Sequence, residues 1–132
     1  ALPAVYGYID RQRILAERYR LVLVAYEGGQ HVAGVGNVQN DARMEKLFTS
    51  ANRDPQMGAL YLDYLNGWRQ HGGQLFVHFN SVGRYGKFGS WGAKEYQTQT
   101  SAPKYDALLR FIADNPCWWD GCVATTTGAG QP

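Results

Sequence analysis

The chain has 132 residues, which is the length of one domain with a modest hydrophobic core. Its net charge is +2. Because the charged residues are scattered, the sequence lacks the basic stripe that is typical of nucleic-acid binding, and no apolar run is long enough to cross a membrane. Aromatic residues make up 14% of the chain and 16 residues are Gly. Aromatic rings in glycine-bearing loops commonly stack on sugar rings, although most aromatic residues belong to a core.

The first predicted elements are a helix at residues 9–20 and a strand at residues 21–26. Ile14, Leu15 and Tyr19 give the helix a sparse apolar face. The strand follows almost without a loop and is apolar at every position apart from one tyrosine. Such a run predicts a strand buried on both faces, as in a parallel sheet covered by helices.

A carboxylate follows this strand directly. Glu27 ends the apolar run, and Gly28 and Gly29 allow a sharp turn and leave room beside the side chain. In parallel α/β folds, ligands bind and catalytic residues project at the carboxyl ends of strands. Glu27 is therefore a candidate functional residue. The alternative is a glutamate that faces solvent or pairs with an arginine.

The middle of the chain predicts two helices and a second strand. The glycines of residues 27–40 are too irregularly spaced for a dinucleotide or phosphate-binding loop. Asn40 or Asp41 is predicted to cap one helix, and Asp54-Pro55 to start another that ends at Gly72. The aromatic residues of this second helix have core spacing, and residues 74–80 read as a strand.

Residues 81–102 form a long predicted loop before a last helix that opens at Pro103. A connection of this length in a compact domain is usually functional or disordered, and its aromatic content argues against disorder. The last helix is predicted to turn four apolar side chains inward, namely Tyr105, Leu108, Leu109 and Ile112. The whole order predicts an α/β fold of βα repeats with parallel strands. Because two strands leave open edges, we expect something else to complete the sheet.

Two cysteines lie near the carboxyl end, in a tail that we assign to residues 115–132. The spacing of Cys117 and Cys122 is longer than a redox motif, and too few ligands are near for a metal, so none is predicted. A local disulfide in a secreted protein is the favoured interpretation, with two free thiols as the alternative. The end of the tail is expected to be mobile. Since the sequence begins without Met and without a signal pattern, we expect a processed or excised segment.

Four segments of the chain resemble a known family. These are Val-Ala-Tyr-Glu-Gly-Gly-Gln-His at 24–31, Asn-Arg-Asp-Pro-Gln-Met-Gly at 52–58, Leu-Phe-Val-His-Phe-Asn-Ser-Val-Gly at 75–83 and Gly-Ser-Trp-Gly at 89–92. They resemble strands seven and eight of the retaining (β/α)8-barrel glycoside hydrolases of clan A, and in particular bacterial proteins described as cellulose-binding or as glycosidases. The resemblance covers residues 9–114 and implies part of a (β/α)8 TIM barrel.

The resemblance assigns roles to individual residues. It implies that Glu27 is the nucleophile and that Trp91 is the platform under the sugar. Four residues near the strand ends could bind hydroxyl groups, namely Tyr26, His31, His78 and Asn80. The acid/base glutamate of the family follows strand four, which this chain lacks, although retaining hydrolysis needs two carboxyl groups about 5 Å apart. Glu95 is the candidate for the second carboxylate, with a solvated loop charge as its alternative.

Two functions follow from this resemblance. The first is a retaining, polysaccharide-degrading hydrolase of cellulase or hemicellulase type, secreted by a bacterium and needing no cofactor. Its partners would be a polysaccharide or oligosaccharide, together with a second copy of the chain or the missing part of a barrel. The second is a non-catalytic carbohydrate-binding module whose platforms are Trp91, Tyr85, Phe88, Trp118 and Trp119.

Overall fold

The computed structural model describes residues 1–122. The elements, in chain order, are α1 (Leu2–Arg18), β1 (Leu23–Gly28), a short 3-10 helix (Gly36–Val38), α2 (Ala42–Arg53), α3 (Pro55–Gln70), β2 (Gly73–His78) and α4 (Pro103–Asp114). The strands β1 and β2 form one parallel pair. The predicted mixed α/β class, the element order and the parallel direction are therefore confirmed.

Local hydrogen bonds explain where the middle helices begin. Asp41 caps α2, since its Oδ1 accepts from the backbone N–H of Arg43 at 2.8 Å, and Asp54 caps α3 by accepting from Gln56 at 2.8 Å. Pro55 occupies the first turn of α3, where its missing N–H leaves no bond unmade. Both predicted starts are confirmed.

The first helix is longer than predicted. It begins at Leu2 rather than at residue 9, with Pro3 in its first turn. Of its residues only Ile9 is fully buried, whereas Ile14, Leu15 and Tyr19 are exposed. The predicted apolar face of α1 is therefore not buried among residues 1–122.

Helix α3 covers one face of the sheet. The ring of Phe76 on β2 packs edge-on against Tyr64 and Trp68 of α3, at centroid distances of 5.6 and 5.7 Å. A Cβ atom at Gly28 would overlap the Phe76 ring, so a side chain larger than hydrogen does not fit there. The predicted core role of the α3 aromatic residues is confirmed at Tyr61 and Trp68, which are both buried.

The opposite face of the sheet is uncovered. Val24 and Tyr26 of β1 and Leu75 and Val77 of β2 are exposed, with Tyr26 reaching 80%. The prediction that the first strand is buried on both faces is therefore wrong within residues 1–122. The physical reason is that a two-stranded sheet offers two faces, and the packed helix α3 meets the side chains of only one of them.

The last helix packs along α3 through a face that matches the predicted one only in part, since Leu108 packs against the apolar cluster and Tyr105 is half-buried. Lys104, Ala107 and Phe111 are buried, whereas Leu109 and Ile112 are exposed. Ala107 joins Met57 and Tyr61 of α3 in the main apolar cluster. The prediction for Leu109 and Ile112 is wrong because the buried stripe runs through residues spaced by three and four, beginning at the lysine.

The predicted disulfide between Cys117 and Cys122 is present. Within the loop that it closes, Trp118 packs edge-on against Phe111 at 5.7 Å and donates its indole N–H to the carbonyl of Gly73 at 3.0 Å. The start of the tail is thus packed on α4 and β2. The end of the 115–132 tail, which is expected to be mobile, lies outside the described residues. Between residues 1 and 122, no helix combines the length and hydropathy that a bilayer span needs.

Candidate functional site

The two strands place their following loops at one edge of the sheet. Gly28 at the end of β1 is in register with His78 at the end of β2. The backbone N–H of Phe79 then donates to the carbonyl of Gly28 at 2.9 Å, which extends the pairing beyond the strands. Residues that follow β1 therefore meet residues that follow β2, although about fifty positions separate them in sequence.

An aromatic shelf forms where these loops meet. The ring of Trp91 lies 4.4 Å from His31 and 6.2 Å from Phe79, measured between centroids, and its indole N–H donates to the carbonyl of Phe88 at 3.2 Å. We call these four residues the aromatic shelf. His31, Phe79 and Phe88 are exposed and Trp91 is half-buried. The shelf is thus an open surface on which the His31 and Phe79 rings are inclined to the Trp91 ring by 57° and 68°.

The predicted nucleophile lies at the end of β1. The side chain of Glu27 is exposed, and the preceding Tyr26 is the most exposed aromatic residue on the sheet. The ion pairs found between residues 1 and 122 do not include Glu27. The structure is therefore consistent with a Glu27 that faces solvent. The other alternative, an ion pair with an arginine, is not found among residues 1–122.

The predicted second carboxylate is engaged in an ion pair. Both oxygens of Glu95 accept hydrogen bonds from Arg53 of α2, each at 2.7 Å, and the Glu95 side chain is only 16% exposed. The Arg53 guanidinium lowers the pKa of Glu95 from its ordinary value. A general acid must carry a proton near neutral pH, whereas this pairing favours the ionised form. The alternative reading of Glu95 as a solvated loop charge is also wrong.

His78 is half-buried and faces α3. Its Nε2 lies 3.2 Å from the hydroxyl of Tyr61, which also accepts from the backbone N–H of Gln30 at 3.2 Å. Burial and the positive charge of Lys104 lower the pKa of His78 to about 4. The imidazole is therefore neutral at pH 7, and its Nε2 shares one hydrogen bond with the Tyr61 hydroxyl. Burial raises the pKa of Tyr61 to about 12, which keeps that proton on the phenol.

Asn80 and Tyr85 have structural contacts. The backbone of Asn80 pairs with residues 91–93, donating to the carbonyl of Trp91 at 3.2 Å and accepting from Ala93 at 2.7 Å. The Oδ1 atom of Asn80 is buried without a hydrogen-bond partner among residues 1–122. Tyr85 is buried, which raises its pKa, and its hydroxyl donates to the carbonyl of Gly92 at 3.0 Å. Both residues therefore support the loop that carries Trp91.

The carbonyl of Ser90 joins three segments of the chain. It accepts one hydrogen bond from the side-chain amide of Gln30 at 2.7 Å and another from the ammonium group of Lys104 at the start of α4. Lys104 has no exposed surface, and its nitrogen lies 4.5 Å from the centroid of the Tyr85 ring. Burial lowers the pKa of Lys104 to about 8, and the opposing effect of Glu95 is smaller.

Sequence reasoning missed Gln30, Ser90 and Lys104. For Lys104 a signal was present, since it precedes Ala107 and Phe111 by three and seven positions and so shares the buried stripe of α4. For Gln30 and Ser90 no local pattern predicts the contact, because the two residues are 60 positions apart. Among residues 1–122, no group of three or more His, Cys, Asp or Glu side chains is arranged to hold a metal ion.

Comparison of the chain with protein-family models, with curated proteins and with solved structures finds no match. The function is therefore inferred from the residues and from the geometry of the sheet edge.

Proposed function

We propose that this chain is the sugar-binding part of a retaining glycoside hydrolase of the (β/α)8 type, with Glu27 as its nucleophile. The observation that carries the proposal is the aromatic shelf around Trp91, which lies at the same sheet edge as the exposed carboxylate of Glu27. The substrate class is a polysaccharide or oligosaccharide. The disulfide between Cys117 and Cys122 is in keeping with a secreted protein.

Binding would use the open face of the shelf. The C–H face of a sugar ring stacks on an indole, while its hydroxyl groups bond to polar side chains at the edge. Tyr26 and Glu27 are exposed next to the loop that carries His31, so their oxygens are available to such hydroxyl groups. Three residues support the shelf rather than contact the sugar, because their own contacts are internal, namely His78, Asn80 and Tyr85.

Hydrolysis would need a carboxylic acid that residues 1–122 do not offer at this edge. Glu27 attacks the anomeric carbon in the proposed reaction, and a second carboxyl group about 5 Å away protonates the leaving oxygen. Glu95 is held by Arg53 and is unsuited to that role. The acid would come from a second copy of the chain or from the rest of a barrel.

The uncovered sheet face indicates where such completion would occur. Val24, Tyr26, Leu75 and Val77 expose apolar surface on adjacent strands, and a two-stranded sheet is only marginally stable alone. We therefore expect the chain to self-associate or to add further strands. Light scattering on the purified chain tests the first route, and a strictly monomeric, folded chain would exclude it.

The nucleophile can be tested without the missing acid. A 2-deoxy-2-fluoroglycoside with a dinitrophenyl leaving group needs no protonation to depart, so a competent carboxylate forms a stable glycosyl ester. We expect intact-mass spectrometry with a panel of such glucosides, xylosides and mannosides to show one adduct that maps to Glu27. The matched control is Glu27→Gln, which keeps the shape of the side chain and removes its nucleophilic oxygen. An adduct on another residue would reject the assignment.

A second candidate is a non-catalytic carbohydrate-binding module. The observation that favours it is the Arg53–Glu95 ion pair, which removes the candidate acid/base from the loop. Retention on columns of cellulose, xylan, mannan and mixed-linkage glucan distinguishes the two functions. A binding module predicts that Trp91→Ala abolishes retention, that Glu27→Gln leaves it unchanged, and that no fluoroglycoside adduct forms. Retention by Trp91→Ala equal to that of the wild type would reject both functions.

A further inference from the structure

We propose that Lys104 and Tyr85 together form a clamp that positions the Trp91 ring, so that Lys104 is a positioning residue for the carbohydrate site. This inference rests on the proposed function for its meaning, but its geometry is independent of any sugar. The clamp consists of two hydrogen bonds to the two carbonyl groups that flank Trp91 in sequence.

The two hydrogen bonds are placed on either side of Trp91 in sequence. Lys104 donates to the carbonyl of Ser90, the residue before Trp91, and Tyr85 donates to the carbonyl of Gly92, the residue after it. The ammonium group of Lys104 also lies over the Tyr85 ring, 4.5 Å from its centroid. The two donors thus contact each other, and they hold the carbonyl groups of the residues before and after Trp91.

The clamp also positions His31, the ring partner of the indole. Gln30 donates to the same Ser90 carbonyl at 2.7 Å, and the next residue, His31, contacts the next ring, Trp91, at 4.4 Å. The loops after β1 and β2 are therefore joined through consecutive pairs, 30 with 90 and 31 with 91. Moving the Ser90 carbonyl would separate the His31 ring from the Trp91 ring.

Burying the amine of Lys104 has a cost in folding free energy. Lys104 has no exposed surface, the carboxylate that acts on it is Glu95, which is already paired with Arg53, and His78 is neutral at pH 7. A buried ammonium is expensive, and an apolar residue of similar volume would stabilise the fold as well or better. What the ammonium adds is a directed, charge-assisted bond, about twice as strong as a neutral one. This directed bond is made to the carbonyl of Ser90, the residue before Trp91.

The test compares Lys104→Met and Tyr85→Phe, each of which removes one donor and keeps the bulk of the side chain. Lys46→Met, at an exposed position on α2, is the control for loss of one positive charge. The readouts are the indole N–H resonances in ¹H–¹⁵N spectra, with Trp91 assigned through Trp91→Phe, and retention on the polysaccharide that binds the wild type.

We expect both clamp variants to shift or broaden the Trp91 indole resonance, because the hydrogen bond from the indole N–H to the Phe88 carbonyl depends on the position of the loop. The resonances of Trp68 and Trp118, which donate to Gln74 and Gly73, should stay in place. Affinity should fall about tenfold in Lys104→Met and about fivefold in Tyr85→Phe, as expected for losing a charge-assisted and a neutral hydrogen bond. Lys46→Met should match the wild type.

An unchanged Trp91 resonance with unchanged affinity in both clamp variants would overturn the proposal. If Lys104→Met does not fold, Tyr85→Phe decides by the same two readouts. Failure of the proposed function is distinguishable, because Trp91→Ala would then bind polysaccharide like the wild type, or the wild type would not bind. In that case the Trp91 resonance in the clamp variants still supports or overturns the clamp itself.

Discussion

The buried amine of Lys104 predicts an unusual dependence of stability on pH. Burial lowers the pKa of Lys104 from 10.5 to about 8 in the folded chain, whereas in the unfolded chain the amine is solvated and keeps its ordinary pKa. Between these values the unfolded chain binds more protons than the folded chain. The free energy of unfolding therefore rises as pH rises through this window. The stability gained in this way is lost again as pH falls through about 8.

The size of the effect follows from the same two pKa values. Since a tenfold change in proton affinity is worth about 1.4 kcal/mol, the charged amine costs the fold about 3 kcal/mol at pH 7. Roughly 2 kcal/mol of this should be recovered between pH 7 and pH 9.5. The window stops at pH 9.5 because Tyr61 and Tyr85, whose pKa values are raised by burial, begin to oppose the trend once unfolded tyrosines ionise.

Urea unfolding at half-unit steps from pH 7 to pH 9.5 measures this change directly. In Lys104→Met the rise should vanish, while Lys46→Met should show the same rise as the wild type. The groups nearest to Lys104 titrate outside the window, since the pKa of His78 is lowered to about 4 and that of Glu95 is also lowered. A wild-type stability that stays flat across this window, or a rise that persists in Lys104→Met, would refute the reasoning.

Three further predictions concern other parts of the fold. Glu95→Gln should lower the free energy of unfolding by about 1 kcal/mol at pH 7, because it weakens a charge-assisted pair. Since the pKa of Glu95 is lowered, the wild type should lose this advantage as pH falls below about 4.5. Urea unfolding at pH 3.5 should therefore show a smaller difference in stability between the wild type and Glu95→Gln than at pH 7. Gly28→Ala should lower the free energy of unfolding by about 1–3 kcal/mol because its Cβ overlaps the Phe76 ring, and a neutral effect would contradict the packing. Replacing Cys117 and Cys122 by Ser should lower the free energy of unfolding by about 2 kcal/mol, because the unfolded chain is no longer constrained by a short loop. Polysaccharide retention should stay unchanged. Lost retention in a folded variant would place the tail in the binding site.

The helix starts were predictable because their causes are local. The side chains of Asp41 and Asp54 bond to backbone N–H groups two residues away, and Pro55 needs only its own geometry to favour a first turn. The disulfide between Cys117 and Cys122 closes over five positions for the same reason. The parallel pairing of the strands was predictable from the alternation of strands and helices.

The sheet shows where local reasoning fails. The continuous apolar run of residues 21–26 predicted burial on both faces, yet Val24 and Tyr26 are exposed in the described chain. The hydrophobicity of a strand reports the faces that it could bury, whereas actual burial depends on which elements are present to cover it. The wrong inward face for α4 has a similar origin, because Lys104 occupies a stripe that its charge argued against.

The sequence by itself determined the element order, the helix caps, the disulfide, and the presence of Glu27 at the end of the first strand and of Trp91 in the loop after the second. Only the tertiary structure decided that Glu95 pairs with Arg53, that His78 faces Tyr61, and that Lys104 and Gln30 meet at the Ser90 carbonyl. The two sets of features differ in how far apart in sequence the interacting residues lie. Caps and short loops depend on hydrogen bonds between residues a few positions apart, whereas the clamp depends on loops and a helix that meet only after the core has packed.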